Sequence, residues 1–155
     1  MKIPPRMWLA SAAAALFSSG IGIGLLLPDA HPARPEGKTM KIVRIYTGPD
    51  NRSHFEDIEV PLMDAGKVGF LSERVKATGL VFRETGGDYD YDFHTAPRRQ
   101  YVVNLEGEVE IEVGDGTRRV LKAGDILLAE DTTGQGHISR AVAGKPRKSL
   151  FITLD

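Results

Sequence analysis

Residues Gly86 to Arg140 of this 155-residue chain read GGDYDYDFHTAPRRQYVVNLEGEVEIEVGDGTRRVLKAGDILLAEDTTGQGHISR. Short β-prone runs alternate there with glycine- and aspartate-containing turns, a pattern typical of consecutive antiparallel strands. Gly114-Asp115-Gly116 is a tight hairpin turn of the kind that requires positive φ. Two of the chain's four histidines, His94 and His137, lie near the two ends of this stretch. The stretch predicts a sheet that carries its two histidines on different segments.

The same kind of pattern extends over the rest of the chain after residue 40. No segment there has sustained helical periodicity, and turn residues separate the apolar runs at short intervals. Many short strands at regular spacing are typical of a β-sandwich or β-barrel. We therefore predict one all-β domain over residues 39–155. The further strands are expected at 40–46, 54–60, 67–75, 76–85 and 150–154.

Composition excludes several classes of protein. Charged residues make up 26% and hydrophobic residues 41% of the chain, as in ordinary globular proteins. The net charge of −1 gives no basic field, so nucleic acid is not an expected partner. Cysteine is absent, which rules out disulfides, a thiolate zinc site and a cysteine nucleophile. Any metal must be held by nitrogen and oxygen ligands.

The N-terminal segment resembles an export signal or a membrane anchor. Lys2 and Arg6 precede Met7 to Leu27, a run of 21 residues without charge. A signal core has about 7–15 apolar residues and a spanning helix about 20, so both alternatives stay open. A buried helix of the domain is a third alternative. We expect a signal peptide or anchor at 1–27 and a Pro-rich linker at 28–38.

Both export alternatives place the folded domain outside the cytoplasm, either free in the periplasm or medium or tethered to the membrane. Contact with the membrane is then expected only through the N-terminal segment.

The spacing of glycines and ligand-type residues resembles the first motif of the cupin superfamily. That motif reads Gly, five residues, His-x-His, three or four residues, Glu, six residues, Gly. Gly86 is followed by five residues, then by Asp92-Phe93-His94, and Gln100 is followed by six residues and Gly107. Asp92 replaces the first histidine, and Gln100 stands in place of the glutamate, one residue further along.

The second cupin motif, Gly, five residues, Pro-x-Gly and a later His and Asn, is matched less completely. Gly116 is followed by five residues and then by Lys122-Ala123-Gly124-Asp125, with His137 as the later histidine. Lys122 replaces the proline and Ala141 the asparagine. The resemblance covers about residues 80–154. It implies a double-stranded β-helix, the jelly-roll barrel of cupins, and the matched positions in metal-holding cupins are metal ligands.

A metal site is one reading of these residues. Asp92 and His94 are two apart, so on a regular strand their side chains share a face, and His137 would join them from across the barrel. Two imidazoles and a carboxylate suit iron, manganese or zinc. We therefore expect one divalent metal (Fe, Mn or Zn) held by His94, His137 and Asp92. Gln100 would add a weak oxygen ligand or orient a metal-bound water.

The alternative is a pocket without metal. His94 and His137 would then be hydrogen-bonded residues of the pocket wall, with Asp92 in a turn. Arg98 shares strand parity with Gln100, so its guanidinium is a candidate fork for the acid group of a ligand. An ion pair with a nearby carboxylate, or simple solvation at the rim, explains Arg98 equally well.

Two function hypotheses follow. The first is an exported single-domain cupin that binds a small polar molecule in the barrel mouth, and an acidic molecule is one alternative for this ligand. If this cupin is an enzyme, it is expected to be a metal-dependent dioxygenase, isomerase or lyase. The second is a non-catalytic, metal-free domain that binds a ligand or a protein partner. A homodimer through an exposed edge strand is compatible with both. Sequence does not name catalytic residues or a substrate.

Overall fold

The computed structural model describes residues 37–154, all of which lie within one compact unit, Pro35–Asp155. The described part of the chain folds into eleven strands and one short 3₁₀ helix, Gly66–Val68. The predicted signal or anchor and most of the predicted linker lie outside the described residues. Within 37–154, no helix is long and apolar enough to cross a membrane. The strands are β1 Lys38–Thr47, β2 Ser53–Asp64, β3 Phe70–Leu71, β4 Gly79–Thr85, β5 Asp90–His94, β6 Gln100–Glu106, β7 Val109–Glu112, β8 Arg118–Leu121, β9 Ile126–Glu130, β10 His137–Ala141 and β11 Arg147–Thr153.

The strands form two sheets. The larger has seven strands in the order β3-β2-β1-β9-β6-β11-β4, and the smaller has four in the order β5-β10-β7-β8. All pairs are antiparallel except β1 with β9. The predicted all-β class is confirmed, but the ladders do not close into a barrel. Residues 86–89 carry the chain from β4 in the larger sheet to β5 in the smaller sheet. Each of these two strands is an edge strand of its sheet.

The core lies between the two sheets and follows from strand alternation. On β7, Val109 and Ile111 are buried, whereas Glu110 and Glu112 lie on the other face beside the arginines of β8 and β10. Each such aliphatic side chain contributes roughly 1.5–3 kcal/mol when it is removed from water. The main apolar cluster consists of Ile45, Ala96, Val102, Val109, Ile111, Val113, Leu121, Leu127 and Ala129.

A β-bulge interrupts the pairing of β5 with β10. His137 pairs with His94 and Ser139 pairs with Tyr91, so Ile138 faces two residues of β5. A bulge of this kind shifts the alternation of the strand by one residue and redirects its side chains. Tyr91 and His94, three apart, therefore both line the space between the sheets.

Two segments differ from the strand predictions. Only Phe70–Leu71 of the predicted strand at 67–75 is paired, because Gly66 and Gly69 adopt positive φ and turn the chain there. β10 was not predicted as a defined strand, since its short run of His137–Ala141 follows a glycine-rich polar loop and contains only one large aliphatic residue.

Candidate functional site

A cavity of about 760 Å³ lies between the two sheets. Its apolar wall comes from the inward residues of β6, β7, β9 and β11, among them Val102, Ile111, Leu127 and Phe151. Polar side chains from strands and loops complete the wall. They are Thr78, Arg83, Tyr89, Tyr91, His94, Thr95, Arg98, Gln100, Asn104, His137, Ser139, Arg147 and Thr153.

His94 and His137 are brought together, as the sequence predicted. Their ring centroids are 4.4 Å apart and their planes are inclined by 52°. His94 Nδ1 lies 2.7 Å from the carbonyl oxygen of Asp92, which can only accept, so Nδ1 carries the proton. The neutral ring therefore presents Nε2 as an acceptor, the state that suits a general base or a metal ligand.

His137 is held in the same way by a carboxylate. Its Nδ1 donates to Asp131 Oδ2 at 2.6 Å, and both side chains are buried. Asp131 also accepts a backbone hydrogen bond from Ala96 through its carbonyl oxygen. These contacts hold the orientation of the His137 ring and leave its Nε2 without a partner among the described residues. Sequence reasoning missed this contact.

Burial lowers the pKa of His94 below the usual range of histidine. The positive charges that His137 and Arg83 can carry act in the same direction, against the hydrogen bond to the Asp92 carbonyl. The Tyr91 ring lies 3.9 Å from the His94 ring, centroid to centroid, and covers it. Burial and these charges therefore favour the neutral form of the His94 ring.

Asp92 is not brought to the histidines. Its side chain is exposed and its Oδ1 accepts the backbone N–H of Phe93 at 2.8 Å. The expectation that Asp92 and His94 share a face does not hold, because the bulge opposite Ile138 shifts the alternation between them. In the described range 37–154, no three histidine, aspartate or glutamate side chains form a group that could hold a metal ion.

Gln100 and Arg98, the predicted ligand-binding residues, both lie at the cavity. Gln100 begins β6, is 7% exposed and belongs to the cavity wall. Arg98 belongs to the wall as well, but its side chain is exposed to solvent at the edge of the cavity.

Two further arginines line the cavity, and sequence reasoning missed both. Arg147, the first residue of β11, is only 6% exposed, and its guanidinium lies 5.9 Å from the centre of the Tyr89 ring. Arg83 of β4 lies 5.1 Å from the same ring and 5.4 Å from the Phe151 ring. Strand alternation was the available signal, since Arg147 has the parity of buried Ser149 and Arg83 that of buried Thr85.

The charge of this cavity is one-sided. No aspartate or glutamate is among the described residues that line it, whereas three arginines are. Burial lowers the pKa of Arg147, and the nearby charge of Arg83 lowers it further. Positive charge in a low-dielectric space without a counterion favours an anionic ligand.

Comparison with known proteins gives weak similarities. No family model matches the chain, and no curated protein matches it. Among solved structures, a protein from Neisseria meningitidis is 18% identical with a TM-score of 0.40, covering 52% of this chain and 79% of its own. A conserved protein of unknown function from Streptococcus pyogenes is 19% identical with a TM-score of 0.41, covering 55% and 69%. A putative ethanolamine utilization protein Q from Salmonella typhimurium is 15% identical with a TM-score of 0.40, covering 76% and 97%. Similarity at this level carries no argument about activity, which has to come from the site.

Proposed function

We propose that this chain is an exported cupin-type jelly-roll protein that binds a small polar molecule in the cavity between its two sheets. The observation that supports this best is the cavity itself. Its volume of about 760 Å³ lies within the 300–1,000 Å³ range typical of small-molecule sites. Its wall combines apolar side chains such as Val102 and Leu127 with polar groups such as His94, His137 and Gln100, a combination that binds a ligand by burial and orients it by hydrogen bonds.

The two histidines favour a second candidate, a metal-dependent enzyme. Both Nδ1 atoms are bound to oxygen acceptors, which is the arrangement that orients metal-ligating imidazoles through Nε2. His94 and His137 would hold an iron, manganese or zinc ion, with Gln100 or water completing the set. Asp92 would have to leave the Phe93 amide to contribute. Such an ion supplies Lewis-acid or oxygen-activating chemistry.

Two measurements on the purified full-length protein test these candidates. Native mass spectrometry detects a small molecule that co-purifies, and elemental mass spectrometry measures Fe, Mn and Zn after supplementation under anaerobic conditions. The variant His94→Ala/His137→Ala removes the paired imidazoles. The variant His54→Ala removes an imidazole of β2 that is hydrogen-bonded to Asp50 and does not line the cavity, and it serves as the control.

The outcomes separate the candidates. One metal per chain, lost in the double variant but kept in His54→Ala, supports the metal-dependent enzyme. A bound small molecule without stoichiometric metal supports the metal-free binding protein. A protein that retains neither metal nor any small molecule under these conditions contradicts both.

Export is tested separately. We expect the protein in the membrane or extracytoplasmic fraction, and N-terminal sequencing distinguishes a cleaved signal from an anchor. Recovery of the intact chain in the cytoplasm contradicts this part of the proposal.

A further inference from the structure

A buried cluster in the cavity wall contains positive charge without a counterion. Arg83 and Arg147 approach the same Tyr89 ring, at 5.1 Å and 5.9 Å from its centre. Neither guanidinium makes a hydrogen bond or an ion pair with the described residues, although nearly every other arginine of the two sheets does. Burying a charge in this way is costly unless a partner supplies the missing bonds.

Polar atoms beside these arginines are unpaired as well. Thr85 Oγ1, Asn104 Oδ1 and Ser149 Oγ are buried and have no hydrogen-bond partner among residues 37–154. In the sheet register Arg147 pairs with Thr85, and Ser149 pairs with Arg83 on one side and Asn104 on the other. Five side chains on three neighbouring strands thus form one patch, in which Arg83, Asn104 and Arg147 line the cavity and buried Thr85 and Ser149 are their neighbours in the sheet. Buried polar groups in folded proteins are normally satisfied, so this concentration points to an absent partner.

We propose that the patch of Arg83, Thr85, Asn104, Arg147 and Ser149 binds the acid group of a small hydroxylated organic acid. This rests on the proposed function, that the cavity holds a small molecule. The guanidinium groups are forks that fit a carboxylate, and the seryl and threonyl hydroxyls of the patch donate to anionic oxygens.

The amide of Asn104 distinguishes a hydroxy acid from a simple one. Asn104 Nδ2 already donates to the carbonyl oxygen of Leu121 at 3.1 Å, so Oδ1 is the atom left over and it can only accept. A carboxylate has no proton to give it, whereas a ligand hydroxyl does. An acid with hydroxyl groups along its carbon chain therefore satisfies the arginines and the asparagine at once.

Arg98 differs from this pair. It lies at the exposed edge of the cavity, where water already solvates its guanidinium, so an anion there replaces good hydration. At the buried patch the guanidinium of Arg147 has little access to water, so an anion that binds there displaces less hydration. The stronger contribution to acid binding is therefore assigned to Arg147 and Arg83.

Four six-carbon or inorganic probes test the proposal by calorimetry on the full-length protein in a mild detergent. D-gluconate carries both an acid and hydroxyls, sorbitol only hydroxyls, hexanoate only an acid, and inorganic phosphate is an oxyanion without carbon. We expect gluconate to bind more tightly than each of the other three. Arg147→Met is expected to weaken gluconate binding at least about tenfold, the usual effect of losing a charge-assisted hydrogen bond. Arg74→Met, at an exposed position that does not line the cavity, is the control and should leave gluconate binding unchanged.

The same variants give a readout that does not depend on the ligand. Methionine fills the space of the Arg147 stem without a buried charge, so Arg147→Met is expected to raise the Tm of the ligand-free protein. If Arg147→Met fails to fold, Arg83→Met, at a half-buried position, takes its place with the same expected loss of gluconate binding.

Gluconate binding no tighter than sorbitol, or unchanged in both Arg147→Met and Arg83→Met, overturns the proposal. Phosphate binding as tight as gluconate also overturns it, in favour of an inorganic oxyanion. A neutral molecule that co-purifies with the protein would leave the proposed function standing and remove only the acid subsite.

Discussion

Asp131 and His137 form a buried hydrogen bond of 2.6 Å between the end of β9 and the start of β10. The carboxylate accepts from Nδ1, so it decides which nitrogen of His137 remains available to a ligand. Loss of this charge-assisted bond, with the ring still buried, leaves the site without its orienting group.

We expect Asp131→Asn to lower the free energy of unfolding by about 1.5–3 kcal/mol, the usual range for a hydrogen bond to a charged group. Urea unfolding measures this change, and the ¹⁵N shifts of His137 report the tautomer. Asp88→Asn changes an exposed aspartate in the same way and should leave the unfolding midpoint unaltered. Equal midpoints for both variants would show that the Asp131 carboxylate does not support the fold.

Gly136 is the residue that keeps β10 close to β5. Its φ is +75°, and a Cβ at this position would lie 2.1 Å from the carbonyl oxygen of His94. Gly116 has a similar φ of +85°, but a Cβ there would meet nothing within 4 Å. Alanine at Gly116 would therefore introduce backbone strain alone, whereas alanine at Gly136 would add steric overlap to that strain.

We expect Gly116→Ala to cost about 1–2 kcal/mol, the penalty of the left-handed region alone. Gly136→Ala should cost at least about 2 kcal/mol more, because backbone atoms must move apart. It should also shift the NMR signals of His94 and His137. Equal losses of stability in urea would mean that β10 can move away from β5 without strain.

The limits of sequence reasoning are clearest at the bulge. The alternation of β6 and β7 is visible in the sequence because each strand buries one face, as Val109 and Ile111 do on β7. Alternation also put Asp92 beside His94, but that step assumes an uninterrupted strand. The bulge depends on β10, a distant and largely polar segment that follows a glycine-rich loop and does not look like a strand.

The arginine patch illustrates a second limit. Arg83 and Arg147 meet only because β4 pairs with β11, although the two strands are more than 60 residues apart in sequence. Pairing between distant strands is set by the whole sheet rather than by local pattern. The sequence therefore identified the histidines and the wall residue Gln100, but not the buried charge.

Acid stability should depend on Glu130. Burial alone would raise its pKa, but hydrogen bonds from Arg99 and Arg44 outweigh burial and lower it. A carboxyl group whose pKa is lowered in the folded state stabilises the fold at pH values above its unfolded-state pKa of about 4.3. This stabilisation is lost as the pH falls through the folded-state pKa.

We therefore expect wild-type stability to fall more steeply below about pH 4.3 than that of Glu130→Gln, in which this titration is absent. Urea midpoints between pH 3 and pH 6 measure the difference. Glu59→Gln, an exposed position, is the control and should follow the wild type. Parallel curves for wild type and Glu130→Gln would contradict the role of the Arg99 and Arg44 contacts.

The pKa values of His94 and His54 should differ from the ordinary histidine value of about 6.5 in opposite directions. Burial lowers the pKa of His94, whereas the hydrogen bond to Asp50, followed by the contact with Asp115, raises that of His54. The contribution of His94 to stability is therefore present above about pH 6.5 and is lost as the pH falls through its folded pKa. The contribution of His54 is present below about pH 6.5 and is lost as the pH rises through its folded pKa. An NMR titration of both ring protons measures the order, and a higher value for His94 than for His54 would contradict it.

Strand β4 forms one edge of the larger sheet. β4 pairs only with β11, and its Phe82 is 77% exposed, which leaves an apolar edge of the kind that pairs with another strand. The expected homodimer through an edge strand is therefore assigned to β4, and Phe82→Lys should convert dimer to monomer in sedimentation experiments. Because the side chain of Phe82 packs little within the chain, Phe82→Lys should change the free energy of unfolding by less than about 0.5 kcal/mol. Val120→Lys, on the edge strand β8 of the other sheet, is the matched control and should leave the dimer intact. A wild type that sediments as a monomer at all concentrations, or a dimer lost only in Val120→Lys, would move the interface away from β4.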